Sequence, residues 1–150
     1  MPSIAPNILQ KLQQGYVTHS EEETFECAKA LVSFIPQDHT LALHGPLGVG
    51  KTTFVKGLAK AWNIQQTVTS PTYTFLSIYK GPAINLIHID AYRLTPTSDI
   101  SFLCLDDFIT PPYCIAIEWP ENIPNLLQPS AWHLFFSILE PGQHKIQLHY

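Results

Sequence analysis

The sequence has few charged residues and a single arginine, Arg93, among its 150 residues. Charged residues make up 13% of the chain and the net charge is −4, so it lacks the basic stripe with which proteins grip nucleic acid by themselves. Lys56 and Lys60 stand one helical turn apart, and we interpret them as a solvated helix face. We therefore expect any contact with RNA to depend on a partner.

Long apolar runs and paired cysteines are also missing. No stretch approaches the roughly 20 apolar residues of a membrane span, so we expect no membrane association. Residues 1–7 lack a basic start and an apolar run, so no secretory signal is visible. Cys27, Cys104 and Cys114 are widely spaced and form no C-x-x-C pair, and we interpret them as reduced core thiols. Together these features indicate one domain over residues 1–150, located in the cytoplasm.

The most informative motif covers residues 45–52, Gly-Pro-Leu-Gly-Val-Gly-Lys-Thr, which fits the pattern G-x-x-x-x-G-K-[ST]. Its glycines let successive backbone N–H groups turn towards a polyphosphate. Lys51 supplies positive charge for the β- and γ-phosphates, and Thr52 supplies a hydroxyl for Mg²⁺. Residues 40–44 are apolar enough for a buried strand, and apolar residues recur at helical spacing after Lys51. Strand, loop and helix in this order predict nucleotide binding.

The remaining elements follow from periodicity and turn residues. A capping box, Ser20-Glu-Glu-Glu23, predicts a helix that opens at Ser20. We predict a short helix over residues 99–108, strands over residues 15–19, 75–79, 84–89 and 113–117, and a final hairpin of residues 132–139 and 145–149. This order predicts an α/β fold, namely a three-layer P-loop NTPase-like domain with a mixed, mainly parallel sheet and a C-terminal β-hairpin.

Two carboxylates end apolar strands of this predicted sheet. Leu86-Ile-His-Ile-Asp90 ends in Asp90, and Cys114-Ile-Ala-Ile-Glu118 ends in Glu118. Ligands of open α/β sheets bind beyond the carboxyl ends of the strands, where both acids would project. An acid at a strand end can also be a turn or cap residue, but the phosphate-loop motif favours a functional interpretation of both.

Four segments together resemble the TsaE (YjeE) family of small bacterial ATPases: residues 45–53, Ser70-Pro-Thr72, His88-Ile-Asp-Ala-Tyr-Arg93 and Ile117-Glu-Trp-Pro120. Their order and spacing match the family across nearly the whole chain. The resemblance implies a role in making threonylcarbamoyladenosine in tRNA. It implies an ATPase that docks on a heterodimer of the threonylcarbamoyl transferase and its paralogous scaffold protein, reaches tRNA only through that complex, and does not itself transfer the carbamoyl group.

The same resemblance implies roles for individual residues. It places Mg²⁺ on Thr52 and Glu118, with Glu118 acting partly through water, and catalysis on Lys51, Asp90 and Glu118. The residues expected around ATP or ADP are Gly45, Gly48, Val49, Gly50, Lys51, Thr52, Thr53 and Asp90, with Thr18, Asn122 and Gly142 on the base or ribose side.

Four further positions carry weaker expectations. Ser70-Pro-Thr72 would be a switch-like segment that faces the γ-phosphate, although a simple proline turn is the alternative. Trp119 packs either by the nucleotide or in the core. The chain departs from the family at Pro46, where an acidic residue is usual, and at Lys145, where arginine is frequent. The position of Pro46 does not normally contact phosphate, so binding should survive there, whereas Lys145 leaves open whatever role the arginine has in the family.

Other classes of nucleotide-binding protein fit the sequence less well. A GTPase needs N-K-x-D and D-x-x-G motifs, and neither occurs. A kinase usually clamps the transferring phosphoryl group with several arginines, whereas this chain has only Arg93. A nucleotide-sensing module that binds ATP or ADP without significant hydrolysis needs the same loop and metal, so the sequence leaves that alternative open.

Overall fold

The computed structural model describes residues 7–150, so positions 1–6 of the N-terminal stretch examined above lie outside the described residues. In this part of the chain no helix is both long and apolar enough to cross a bilayer. The helices are α1 (Ile8–Gln14), α2 (Glu21–Leu31) and α3 (Lys51–Ala61). The strands are β1 (Tyr16–Thr18), β2 (His39–His44), β3 (Leu76–Lys80), β4 (Asn85–Asp90), β5 (Tyr113–Glu118), β6 (Trp132–Glu140) and β7 (Gln143–His149).

The strands form one sheet in the order β1-β7-β6-β2-β5-β4-β3. The central strands β6, β2, β5 and β4 pair in parallel, while β1 with β7, β6 with β7, and β3 with β4 pair antiparallel. The predicted mixed α/β sheet and C-terminal hairpin are confirmed, with parallel pairing confined to the centre. Strand β2 therefore lies in the middle of the sheet and carries the phosphate-loop motif at its carboxyl end.

The two faces of the sheet are covered differently. The helices share a core with one face, which includes Leu12, Leu31, Leu41, Leu43, Phe54, Leu58, Leu86 and Leu134. The opposite face of β4 and β5 presents Ile87, Ile89, Ile115 and Ile117 to loops and 3-10 turns. The third layer is thus built from irregular segments rather than from α-helices.

Helix α2 begins where the capping box predicts. The hydroxyl of Ser20 accepts a hydrogen bond of 3.1 Å from the backbone N–H of Glu23. The carboxylate of Glu23 accepts the backbone N–H of His19, one residue before the cap. The Ser20 hydroxyl satisfies an N–H group that the first turn leaves unpaired, and Glu23 ties that turn to the residue before the cap, so the two bonds fix the start of the helix next to β1.

Three details of the sequence-based prediction were wrong. Residues 99–108 form two 3-10 turns, Ser101–Leu103 and Leu105–Asp107, because Cys104 between them adopts a left-handed backbone (φ 49°) that a continuous helix excludes. Cys104 is exposed, whereas Cys27 and Cys114 are core thiols whose pKa burial raises to about 12. Helix α1 was not predicted at all, since its seven residues offer only two buried side chains, Ile8 and Leu12.

Candidate functional site

The loop between β2 and α3 turns through glycines with positive φ at Gly45, Gly48 and Gly50 (147°, 74° and 113°). At Gly45 a Cβ atom would lie 2.6 Å from the carbonyl oxygen of Phe136, so the loop passes too close to β6 for any side chain. Helix α3 begins at Lys51 and follows directly. The positive end of its dipole and the loop N–H groups together form an anion-binding geometry.

The side chain of Lys51 lies inside the loop. It is only 4% exposed, donates a hydrogen bond to the carbonyl of Gly45, and places Nζ 3.9 Å from the centre of the Trp119 ring. Burial lowers the pKa of Lys51 from its usual range, while the carboxylates of Glu118, Glu121 and Asp90 oppose that shift. Lys51 therefore lies deep in the site, under the loop that it would serve.

Thr52 and Glu118 meet directly. The Thr52 hydroxyl lies 2.9 Å from Oε2 and 3.2 Å from Oε1 of Glu118, which is 4% exposed. The imidazole Nε2 of His88, from β4, lies 2.6 Å from the same Oε2. The Glu118 carboxylate is therefore held from α3 on one side and from β4 on the other.

Asp90 ends β4 beside Glu118, since the two residues are register partners across β4 and β5. Oδ2 of Asp90 accepts hydrogen bonds from Ser70 (2.8 Å) and Thr72 (3.3 Å), and Oδ1 accepts the N–H of Tyr92 at 3.0 Å. The predicted switch-like segment is thus attached to the strand-end acid by two hydroxyls. A proline turn with no polar partner would not show this connection.

A pocket of about 200 Å³ opens beside the loop. Its walls are Thr18, His19, Ser20, Glu21, Thr24, Gly48, Gly50, Thr53, Gly142 and His144. Thr18 and Gly142, two of the residues predicted on the base or ribose side, therefore lie together next to the loop. His144 from β7 also contacts the carbonyl of Val49, which joins the final hairpin to the loop.

Asn122 does not lie in that pocket. Its side-chain amide donates to the carbonyl of Ala91 at 3.0 Å, so it joins the segment after β5 to the segment after β4. The structure therefore does not bring Asn122 together with Thr18 and Gly142. The position matched the family pattern, but the amide is used to satisfy a backbone carbonyl between neighbouring loops.

Trp119, Arg93 and the two positions that differ from the family pattern have distinct surroundings. Trp119 is half-buried between Lys51 and Tyr92, whose ring lies 5.0 Å away, so it is neither a pure core residue nor a free surface one. Arg93 is exposed and lies over the ring of Tyr73 at 4.5 Å. Pro46 is exposed in the loop. Lys145, which belongs to β7, packs its aliphatic stem against Gly15, the residue before β1.

His44 ends β2 immediately before Gly45. Its Nε2 lies 2.8 Å from Nδ1 of His133, its ring stacks on Phe135 with 4.4 Å between centres, and its Nδ1 lies 3.6 Å from Glu121. Burial lowers the pKa of His44, as do the charges of His133 and Lys51, and Glu121 opposes them. His44 thus connects the residue before the loop to side chains of β6 and to Glu121.

The site fits a hard divalent cation. Mg²⁺ prefers oxygen ligands and keeps several waters, so it is rarely enclosed by protein side chains alone. Thr52 and Glu118 offer a hydroxyl and a carboxylate within hydrogen-bonding distance of one another. Among residues 7–150 no three His, Cys, Asp or Glu side chains form a metal cluster. That arrangement suits an ion shared between protein oxygens and phosphate.

Two participants escaped the sequence reasoning. His88 belongs to the segment His88–Arg93, but the sequence predicted no role for it. Its contact with Glu118 depends on the register of β4 against β5. His144 approaches the loop only because β7 folds back along β6. A signal existed for His88, since a histidine within an apolar buried strand calls for a polar partner. No local signal pointed to His144.

The fold and the site define an α/β protein in which a G-x-x-x-x-G-K-[ST] loop faces two strand-end carboxylates. Residues 18–146 match the profile of the family described as threonylcarbamoyl adenosine biosynthesis protein TsaE. The chain belongs to the TsaE family. The resemblance seen in its motifs is thereby confirmed.

Similar proteins support this assignment. The chain is 34% identical over 141 residues to the tRNA threonylcarbamoyladenosine biosynthesis protein TsaE of Aquifex aeolicus, covering 93% of this chain and 98% of that protein. It is 36% identical over 115 residues to the protein of the same name from Bacillus subtilis, covering 77% and 72%. A crystal structure of Bacillus subtilis YdiB superposes with a TM-score of 0.71 at 28% identity, covering 88% of this chain and 81% of that one.

Proposed function

We propose that this protein is a small ATPase that binds and slowly hydrolyses ATP with Mg²⁺, and that it serves the formation of N6-threonylcarbamoyladenosine in tRNA. The observation that carries the ATPase proposal is the meeting of Thr52, Glu118 and Asp90 beside the loop of residues 45–50. The observation that carries the pathway is membership of the TsaE family, whose relatives are named for that modification.

The chemistry of each side chain suggests its role in this proposed activity. Lys51 and the loop N–H groups would bind the β- and γ-phosphates, and the pocket of Thr18 and Gly142 would take the base and ribose of ATP or ADP. Thr52 and Glu118 would hold Mg²⁺, which when bound neutralises charge on the phosphates. Asp90 would orient the attacking water and, through Ser70 and Thr72, report the state of the γ-phosphate.

Slow turnover by the isolated chain follows from the position of its only arginine. An arginine placed on the transferring phosphoryl group is worth about 10³–10⁵ in rate in other phosphate-loop enzymes. Here the Arg93 guanidinium lies on the exposed ring of Tyr73, outside the loop. We therefore propose that full activity requires the heterodimer of threonylcarbamoyl transferase and its paralogous scaffold protein, with tRNA contacted only through that complex.

The contacts of Lys51 support a second candidate, a nucleotide-sensing module that binds ATP or ADP without significant hydrolysis. Lys51 already has a backbone acceptor in Gly45 and an aromatic ring beneath it. Nucleotide binding must displace both contacts, which makes the loop suited to report occupancy. The two candidates differ in one measurable quantity, which is the rate of phosphate release.

The test measures steady-state phosphate release by the purified chain, alone and with the transferase and scaffold pair added. We expect a low rate alone and a clear increase with the pair. Phosphate release that stays at background in both conditions, with ATP still bound, would favour the sensing module. Fast turnover alone, unchanged by the pair, would contradict the accessory role.

Nucleotide identity is tested separately by calorimetric titration. We expect Mg²⁺-dependent binding of ATP and ADP, and weaker binding of GTP, because the chain has no N-K-x-D motif to read guanine. Lys51→Ala is the matched control, since it removes the phosphate contact from an otherwise intact loop. A preference for GTP, or no adenine nucleotide binding, would overturn the proposal.

A further inference from the structure

His88 is a polar residue at a position that packing alone would fill with an apolar side chain. It is fully buried at the middle of β4, on the same face as Leu86, which belongs to the core beneath the helices. Its Nδ1 atom has no hydrogen-bond partner among residues 7–150. Burying an unpaired ring nitrogen costs free energy, so the residue needs a compensating contact.

That contact is made with Glu118. Nε2 of His88 lies 2.6 Å from Oε2, and both side chains are shielded from solvent. An ionised carboxylate can only accept hydrogen bonds, so the proton lies on Nε2. The register makes room for the ring, because His88 stands opposite the small side chain of Ala116 on β5, two residues before Glu118.

Glu118 needs such a support because of its other neighbours. It is paired in register with a second carboxylate, Asp90, whose negative charge would push it away. The Thr52 hydroxyl also donates a hydrogen bond to this carboxylate, but we expect it to bind the metal ion instead when Mg²⁺ is present. His88 is therefore the one donor, among the residues that the structure describes around this carboxylate, that can stay in place during nucleotide binding.

We propose that His88 is a positioning residue for Glu118. Its Nε2–H holds Oε2 and so aims the rest of the carboxylate at the Mg²⁺ position beside Thr52. This inference rests on the proposed function, because the proposed function is what assigns the Glu118 carboxylate to Mg²⁺. His88 itself touches neither nucleotide nor metal.

The test compares two substitutions that differ in a single property. His88→Gln keeps an N–H donor at about the position of Nε2, whereas His88→Leu fills similar space without one. The readout is the Mg²⁺ concentration that half-saturates ADP binding, together with ADP affinity in EDTA. Side chains that hold a metal ligand in place are typically worth about 10–100-fold in metal affinity.

We expect His88→Leu to raise the half-saturating Mg²⁺ concentration about 10-fold and to leave ADP affinity in EDTA within about two-fold, the scale of independent sites. His88→Gln should recover most of the loss. In a double-mutant cycle, His88→Leu should add nothing to Glu118→Gln, because both remove the same support. Additive effects, or an unchanged Mg²⁺ requirement in His88→Leu, would overturn the proposal.

A measurement on the unmodified chain keeps the proposal testable if His88→Leu fails to fold. Side-chain ¹⁵N shifts should show Nε2 of His88 protonated and Nδ1 bare; the reverse tautomer would overturn the inference. If the wild-type chain bound ADP without any dependence on Mg²⁺, the proposed function would fail instead. The tautomer would still decide whether His88 donates to Glu118.

Discussion

The hydroxyl of Ser70 donates a 2.8 Å hydrogen bond to Oδ2 of Asp90. Ser70 lies in an exposed loop, whereas Asp90 is 5% exposed at the end of β4. The bond therefore connects a surface segment to a buried acid of the candidate site. Thr72 adds a longer contact of 3.3 Å to the same oxygen.

Ser70→Ala should lower ATP turnover about 10-fold while leaving Mg²⁺–ADP affinity almost unchanged. One hydrogen bond to a charged group is worth about 1.5–3 kcal/mol, and about 1.4 kcal/mol corresponds to ten-fold. The measurement is single-turnover hydrolysis beside ADP titration. Ser98→Ala, which removes a hydroxyl from a turn outside the site, is the control and should change neither quantity. Equal losses in both variants would contradict a role for Ser70.

The two strand-end acids should respond differently to neutralisation. Glu118→Gln should raise the Mg²⁺ requirement for binding, because it weakens the carboxylate beside Thr52. Asp90→Asn should lower turnover about 10²-fold with a smaller effect on affinity, as expected for a group that orients the attacking water. Titrating Mg²⁺ in both variants checks the assignment. Rescue of Asp90→Asn but not of Glu118→Gln by high Mg²⁺ would reverse it.

Lys51→Ala should reduce hydrolysis by at least about 10²-fold, since it removes a preorganised charge from the phosphates. The fold should persist, although the structure shows Lys51 more buried than the sequence suggested, in contact with Gly45 and Trp119. Lys51→Met keeps the buried stem and separates charge from packing. Circular dichroism and thermal unfolding check the fold. Wild-type hydrolysis in Lys51→Met would refute the assigned role of the charge.

Gly57→Ala in α3 should destabilise the protein by about 1–3 kcal/mol, the usual cost of overpacking. The opposite sign, a gain of about 1 kcal/mol, is what helix propensity alone predicts. A Cβ at this position would lie 2.8 Å from Cβ of Ala28 and 3.1 Å from Cα of Phe25 on α2. Urea unfolding measures the difference. Ala28→Gly alone should cost about 1 kcal/mol of helix propensity, so the double variant Gly57→Ala/Ala28→Gly should be less destabilised than the sum of the two single variants; strictly additive losses would place the cause elsewhere.

Stability should fall as the pH is lowered below about 6.5, the ordinary pKa of histidine. The pKa of His44 is lowered in the folded state, chiefly by burial. The unfolded chain therefore binds a proton first, which favours unfolding until the folded His44 also titrates. Thermal unfolding at pH 7.5 and 5.5 should show a smaller drop for His44→Gln than for the wild type. Burial also lowers the pKa of His39, so His39→Gln should likewise reduce the drop; a drop as large as that of the wild type in both variants would contradict this explanation.

The sequence predicted those parts of the site that are encoded locally. The residues of the phosphate loop, the cap at Ser20 and the acids at the ends of β4 and β5 each carry their own signal within a few positions. Contacts between residues of distant strands have no such local signal in the sequence. His88 reaches Glu118, and His144 reaches Val49, only through strand register and hairpin geometry.

The errors have the same origin. Apolar spacing in residues 99–108 suits a helix, but Cys104 adopts a left-handed conformation, which single-residue propensities do not foresee. Asn122 was expected beside Thr18 and Gly142 from its position in the chain, whereas its amide donates to the carbonyl of Ala91. In both cases the tertiary environment overrides a local preference.

The hairpin of β6 and β7 has a consequence for the order in which the protein matures during synthesis. The motif of residues 45–52 leaves the ribosome well before the residues that wall it, Phe136 and His144. Strand β2 likewise waits for β5 and β6, its two neighbours in the sheet. A nascent chain therefore carries the motif before the strands that surround it have emerged. Any ligand of the loop can be held only after the hairpin has folded against it, so it cannot act as a template for the folding of the earlier segments.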